Sequence, residues 1–113
     1  MFNQLSKRVM IMRATKLFSG LILMSVFNNV MAADIESIKA KATSICASCH
    51  GATGISASDA IPNLQGQKAS YLASALKAYR DGSRKAPVMN NMATNLSDDE
   101  IQGLAGYFNA VKP

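Results

Sequence analysis

Three stretches of the chain have apolar residues at the three- and four-residue spacing of an amphipathic helix. The first leads into Cys46, the second covers about residues 68–81, and the third follows Ser97. Their predicted inner faces are, in chain order, Ile35, Ile38, Ala42 and Ile45; Leu72, Ala75, Leu76 and Tyr79; and Ile101, Leu104, Ala105 and Phe108. Since no stretch has the alternating pattern of a strand, we expect an all-α domain with three main helices.

Local signals predict the end of the second helix and the start of the third. Gly82 is placed to end the second helix in a left-handed conformation. Ser97-Asp-Asp-Glu100 is a capping-box sequence for the start of the third, and Leu96 can pack on Ile101 as a hydrophobic staple. The stretches 51–66 and 82–95 lack periodicity and are predicted to be long loops. Loops of this length in so small a domain usually have a function, such as binding a ligand.

The first 32 residues differ in composition from the rest. They contain four of the 12 Lys and Arg and none of the seven Asp and Glu, and the basic start is followed by an apolar run from Leu17 to Phe27. Small residues at Val30 and Ala32 complete the pattern of a signal peptide cleaved after Ala32. The alternative, an uncleaved membrane anchor, needs a longer apolar run. We therefore expect export to the periplasm, no stable membrane insertion, and one domain over residues 33–113.

Residues 33–113 carry a net charge of only +1, so a nucleic-acid partner is not expected. A domain of about 80 residues is close to the size at which a hydrophobic core alone gives only marginal stability. A cofactor is one common way to complete such a core.

Both cysteines and the only histidine of the chain lie within Cys46-Ala-Ser-Cys49-His50. This C-x-x-C-H pattern is typical of c-type haem attachment, because each thiol can form a thioether with one porphyrin vinyl group and the adjacent His can reach the iron. A thioredoxin-like pair would need a βαβ pattern, a zinc site a fourth ligand, and a disulfide would leave His50 without a role. We predict one haem c, covalently bound through Cys46 and Cys49, with His50 as an iron ligand.

Four separated pieces of the chain resemble the class I, single-haem c-type cytochromes, particularly the small bacterial periplasmic kind and either half of their di-haem relatives. The pieces are Cys46-x-x-Cys49-His50-Gly51, Pro62-Asn-Leu64-x-Gly66, Tyr71-Leu72, and Met89 ahead of Leu96-Ser97 with Leu104-Ala-Gly-Tyr107-Phe108. The resemblance implies the class I cytochrome c fold, with its three main helices and long loops around one covalently bound haem. It further implies that the Pro62 carbonyl orients His50 and that Leu64 packs on the porphyrin.

Met89 and Met92 are the only methionines after residue 32, and a thioether sulfur suits haem iron. In the family that the chain resembles, the second iron ligand lies seven positions before the Leu that opens the last capping box, which corresponds to Met89. Met92 is the alternative, since Met also fills gaps in cores. The family often has a Gly in the first helix where the terminal helices cross; here Gly103 and Gly106 of the last helix are predicted to allow the close approach instead.

Iron held by both His50 and Met89 has no open coordination position for a substrate. The predicted function is therefore a soluble periplasmic carrier of single electrons rather than an enzyme. A five-coordinate haem c peroxidase or gas-binding sensor is the alternative. Expected partners are redox proteins that donate and accept electrons, membrane-bound respiratory complexes among them, and we expect a monomer. Basic residues between Gly66 and Pro87, and acidic ones after Ser97, predict separate basic and acidic regions.

Overall fold

The structure is a computed structural model that describes residues 34–113; the signal peptide expected at residues 1–32 lies outside this range. The described residues form four helices and no strand. The helices are α1 (residues 34–50), α2 (Ala69–Asp81), α3 (Pro87–Ala93) and α4 (Asp98–Ala110). Helix α2 packs against both α3 and α4. The predicted all-α class is confirmed, with one short helix more than the sequence indicated.

Helix α1 contains a wide turn close to its C-terminal end. Residues 34–41 are α-helical, Ala42–Cys46 is π-helical, and Ala47–His50 forms a last α-helical turn. The Ala47 N–H donates to the carbonyl of Ala42, five residues earlier, which closes the wide turn. The sequence predicted a helix only as far as Cys46. The extra turn extends the helix to His50, so the whole C-x-x-C-H segment lies at the C-terminal end of α1.

Gly51 ends α1 and starts the reversal into the following loop. Its φ is 88°, in the region that favours glycine, and a Cβ at this position would collide with the backbone of Ile55. The chain therefore turns sharply directly after His50. This turn brings residues 51–66 back beside the end of α1.

The core lies mainly between α2 and α4. It is made of the buried residues Ala42, Leu72, Ala73, Ile101, Leu104, Ala105 and Phe108. All four residues predicted for the inner face of α4 are buried, so that prediction is confirmed. The prediction for α1 is partly wrong, because Ala42 is fully buried whereas Ile35 is 64% exposed and Ile45 is 49% exposed. Ile35 lies two turns before Ala42, and in the described residues the core does not extend that far along α1.

The predicted helix ends of α2 and α4 are confirmed. Gly82 has a φ of 79° and follows the last residue of α2. The Ser97 hydroxyl accepts from the Glu100 N–H at 3.1 Å, while the Glu100 carboxylate accepts from the Ser97 N–H at 2.9 Å. Leu96 packs against the core cluster that contains Ile101. The end of α2 and the start of α4 are thus determined by residues within one turn of each helix end.

Helix α3 was not expected, since residues 82–95 were predicted to be irregular. Pro87 occupies its first turn, where the fixed φ and the missing N–H are tolerated. Ala86 before it is extended, as the residue preceding proline prefers. A helix of seven residues is too short to show a convincing apolar period, which is why the pattern missed it.

Only one of the two glycines predicted to ease the packing of α4 does so. A Cβ on Gly103 would lie 2.8 Å from Cγ1 and 2.9 Å from Cδ1 of Ile38 on α1. A Cβ on Gly106 would meet nothing within 4 Å, and this residue is exposed. The close approach of α1 and α4 therefore depends on Gly103, and the role predicted for Gly106 is wrong.

Leucine at these two glycines should have opposite effects on stability. We expect Gly103→Leu to lower the free energy of unfolding by about 1–3 kcal/mol, because the side chain must displace Ile38 in a packed interface. Gly106→Leu should instead raise it by up to about 1 kcal/mol, since leucine has the higher helix propensity and meets open space. Urea unfolding of the haem-loaded protein followed by circular dichroism measures both. Equal effects of the two variants would contradict the assignment.

Two of the acidic residues that open α4 form ion pairs with basic residues distant in sequence. Arg80 Nη2 lies 2.6 Å from Asp98 Oδ1, and Lys41 pairs with Glu100. The hydrogen bond from Arg80 lowers the pKa of Asp98, and that from Lys41 lowers the pKa of Glu100. Of these two pairs, only that of Arg80 with Asp98 joins the basic stretch between Gly66 and Pro87 to the acids after Ser97, so the predicted separation of the two regions is wrong at Asp98. Among residues 34–113, no helix has the length and apolar character needed to cross a membrane.

Candidate functional site

The end of α1 brings the two cysteines and His50 to one side of a cavity. Positions 46, 49 and 50 are three and four residues apart, so their side chains share a helix face. Cys46 is half-buried, Cys49 is exposed, and His50 is only 7% exposed. Both thiols are free in the structure. The three side chains all line the same cavity.

A hydrogen bond to the backbone decides which nitrogen of His50 is available. Its Nδ1 lies 2.8 Å from the carbonyl oxygen of Pro62. A carbonyl can only accept, so Nδ1 carries the proton and donates. In the neutral ring, Nε2 then keeps its lone pair and can bind a metal. The geometry therefore leaves His50 with one free electron-pair donor beside two thiols.

The loop over residues 51–66 is held in place by its own hydrogen bonds. The carbonyl of Gly54 accepts from the Leu64 N–H at 2.7 Å and from the Gln65 N–H at 3.0 Å. The Gly66 N–H donates to the carbonyl of Phe108 at 2.9 Å, which ties the loop to α4. Leu64 packs against the core cluster and also lines the cavity. The stretch that the sequence described only as a loop thus fixes the positions of Pro62 and Leu64.

The cavity has a volume of about 820 Å³ and largely apolar walls. Its walls include Leu64, Leu72, Leu76, Leu104 and Phe108. Cofactor sites in proteins commonly enclose about 300–1,000 Å³. A smaller pocket of about 270 Å³ adjoins it and shares Cys46, Cys49 and His50 in its wall. This largely apolar cavity thus lies beside the C-x-x-C-H segment. A cofactor bound there would complete the small hydrophobic core.

Both candidate methionines lie in the wall of this cavity. They stand three residues apart on α3, so they share one side of that helix. Met89 is half-buried and Met92 is 46% exposed. Each also lines the smaller pocket together with His50. The structure thus places two thioether sulfurs in the same cavity as the imidazole.

Sequence reasoning missed a polar cluster in the cavity wall, made of Tyr71, Tyr79 and Arg84. The guanidinium of Arg84 lies 4.8 Å from the centre of the Tyr79 ring, and its Nη1 is 3.4 Å from the Tyr71 hydroxyl. This hydrogen bond raises the pKa of Arg84, which therefore stays charged. The two tyrosines are eight residues apart on α2, a spacing that could have indicated a shared face. The cluster gives the cavity a cation suited to a carboxylate.

Two alternatives for the cysteines do not match this geometry. A redox-active C-x-x-C pair has a lowered thiol pKa, whereas burial raises the pKa of Cys46. A structural zinc site needs four nitrogen or sulfur ligands. In the part of the chain that the structure describes, no three His, Cys, Asp or Glu side chains form a group that could hold a metal ion.

The same residues fit a covalently attached haem in their donor chemistry. The two free thiols face the cavity that the porphyrin would fill, and the protonated Nδ1 of His50 directs Nε2 to metal binding. Thioether sulfur is available on α3, and a guanidinium is available for the carboxylates that haem carries. The apolar walls would exclude water from the iron.

Comparison with known proteins identifies the family. Residues 33–108 match the family model described as "Cytochrome C oxidase, cbb3-type, subunit III". Cytochrome c-554(548) of Halomonas halodenitrificans is 47% identical over 68 residues, which are 58% of this chain and 82% of that protein. The thiosulfate dehydrogenase electron acceptor of Stutzerimonas stutzeri is 42% identical over 66 residues, which are 56% of this chain and 31% of that protein.

A solved structure shows the same fold. The crystal structure of reduced recombinant cytochrome c4 from Pseudomonas stutzeri superposes with a TM-score of 0.61 and 26% identity, covering 69% of this chain and 48% of that one. The chain thus spans about half or less of the length of two of these relatives and most of the third. Members of this family carry covalently bound haem c and transfer electrons. From the family match, the relatives and the site, the chain belongs to the class I c-type cytochromes and is related to one half of the di-haem kind.

Proposed function

We propose that this protein is an exported, periplasmic carrier of single electrons whose haem c is bound axially by His50 and Met89. The observation that carries the proposal is the 2.8 Å bond from His50 Nδ1 to the Pro62 carbonyl. It leaves the imidazole with one metal-binding nitrogen in a cavity whose wall also contains Met89. The haem supplies a one-electron change at iron.

The residues of the chain hold that group and keep its surroundings dry. Cys46 and Cys49 attach it to the end of α1, so it cannot diffuse away. The bond between His50 and Pro62 fixes the orientation and the tautomer of the ring. Leu64 and the apolar side chains of α2 and α4 would exclude water from a bound haem, and Arg84 would be available to pair with one of its carboxylates. Held on both sides, the iron has no position for a substrate, which favours a carrier over an enzyme.

The sequence of residues 1–32 supports export, with cleavage after Ala32 and a domain over residues 33–113. A relative described as the electron acceptor of thiosulfate dehydrogenase supports redox proteins as partners. We propose that a soluble or membrane-bound redox protein donates the electron and another accepts it. We expect the carrier to act as a monomer.

The spectrum and ligand reactivity of the haem-loaded protein test the proposal. We expect the ferric protein to show the weak far-red charge-transfer band of Met–S ligation and the ferrous protein to bind carbon monoxide only very slowly. A redox titration should give one reversible one-electron step. A five-coordinate spectrum with rapid binding of carbon monoxide would instead support the peroxidase or gas-sensor alternative.

A further inference from the structure

Asn90 lies beside Met89 on α3 and bonds to three backbone groups outside its own helix. Its Nδ2 lies 2.7 Å from the carbonyl of Tyr79 and 2.8 Å from that of Arg84, while its Oδ1 accepts from the Ala86 N–H at 2.9 Å. An asparagine amide has two N–H donors and a carbonyl. Both donors and the carbonyl are therefore used, and they join the end of α2, the following loop and α3.

These bonds matter because α3 cannot hold its position by itself. It has only seven residues, far fewer than the 12–15 or so that an isolated helix needs to be even marginally stable in water. The acceptor at Tyr79 is one of the last carbonyls of α2, where it also accepts from the Gly82 N–H at a longer distance of 3.3 Å. The side chain of Asn90 thus adds a second, shorter hydrogen bond at the end of a long helix and anchors a short helix with the same amide group.

The anchored helix is the one that carries the candidate iron ligands. Met89 precedes Asn90, and a displacement of α3 moves the methionine with it. The carbonyl partners belong to Tyr79 and Arg84, whose side chains form the polar cluster of the same cavity wall. The position of Met89 relative to that wall therefore depends on this amide side chain as well as on the packing of α3 against α2.

We propose that Asn90 is a positioning residue that holds Met89 against the iron, an inference that rests on the proposed His50 and Met89 ligation. Asn90 has no contact with the haem in this role. It acts by keeping α3 fixed to α2, which lowers the fraction of molecules in which the methionine is released. Its loss should open the sixth position without removing the ligand.

Titration of the ferric, haem-loaded protein with imidazole measures this release, because imidazole binds only where the methionine has left the iron. We expect Asn90→Ala to bind imidazole roughly tenfold more tightly than the parent, since three hydrogen bonds are lost. The reduction potential should rise by about 59 mV if the tenfold weakening of the methionine bond acts on the ferric state alone, because only the oxidised form is then destabilised. Asn90→Asp keeps the acceptor for Ala86 and loses both donors, so it should also bind imidazole more tightly than the parent.

Asn109 provides a matched control. Its Nδ2 donates to the carbonyl of Gln67 at 2.9 Å, the same kind of bond at a site on α4 away from the methionines. Asn109→Ala should bind imidazole as the parent does, even if its unfolding midpoint falls. If Asn90→Ala cannot be loaded with haem, the comparison of Asn90→Asp with Asn109→Ala decides.

The outcomes separate this inference from the proposed function. If Asn90→Ala and Asn90→Asp lose stability while their imidazole affinity equals that of the parent, Asn90 is only structural and the inference is overturned. If the parent lacks the far-red band and Met89→Ala has the same spectrum as the parent, the proposed ligation itself fails. A parent with the band and Asn90 variants with tighter imidazole binding would support both.

Discussion

Met89→Ala is expected to abolish the far-red band of the ferric protein and to lower its reduction potential by on the order of 0.1 V. A thioether stabilises ferrous haem relative to water or a nitrogen ligand, and axial ligands as a group set haem potentials over a range of about 0.8 V. The vacated position should also bind carbon monoxide rapidly in the ferrous state. Visible spectroscopy, a redox titration and stopped-flow mixing measure the three effects.

Met92→Ala is the matched control, because it removes the same side chain from the same face of α3. Met92 lines the same cavity as Met89. We expect its spectrum to keep the band and its potential to change little. If Met92→Ala loses the band while Met89→Ala keeps it, Met92 is the ligand. The position seven residues before Leu96 then does not identify the ligand in this chain.

Replacing both Cys46 and Cys49 with alanine is expected to make the haem fully extractable into acidified organic solvent. The parent should retain haem after denaturation, because thioether bonds survive when the fold is lost. Each single variant should keep one thioether and therefore also retain the group. Mass spectrometry of the denatured chains, with absorbance of the extract, gives the result directly.

The double variant should also lose most of its helical circular-dichroism signal once the haem is removed. The described domain has a small core and a cavity of about 820 Å³, and about 80 residues give little stability without a cofactor. Ser48→Ala, which alters the exposed residue between the cysteines, is the control and should retain both haem and fold. An extracted double variant that stays fully helical would show that the cofactor is not needed for folding.

Much of the fold could be predicted because its signals are local. The capping box at Ser97 and the left-handed Gly82 act within one turn of chain, and the apolar period of α4 needs no distant partner. Helix α3 and the wide turn at Ala42–Cys46 escaped prediction. The first is too short for a period, and the second changes the hydrogen bonding of a helix without changing its apolar pattern.

Contacts between residues that are far apart in sequence could not be predicted from the sequence pattern. Lys41 and Glu100 are far apart in sequence, yet they form an ion pair between α1 and the start of α4. Gly103 and Gly106 look equivalent on one helix, but only Gly103 faces Ile38. Which side of a helix meets another helix depends on the packing of both, so one sequence pattern could not separate the two glycines.

By itself, the sequence determined the chemistry that this protein can use. Two thiols and one imidazole in C-x-x-C-H order, with two methionines as the remaining soft donors after residue 32, specify a covalent haem wherever the chain folds. Only the tertiary structure decided how that chemistry is arranged. The bond from His50 to Pro62, the cavity lined by all four helices, and the Asn90 contacts that hold α3 all join residues from different elements. Such contacts form only when the chain packs, because hydrogen bonds and apolar burial depend on distance in space rather than on position in sequence.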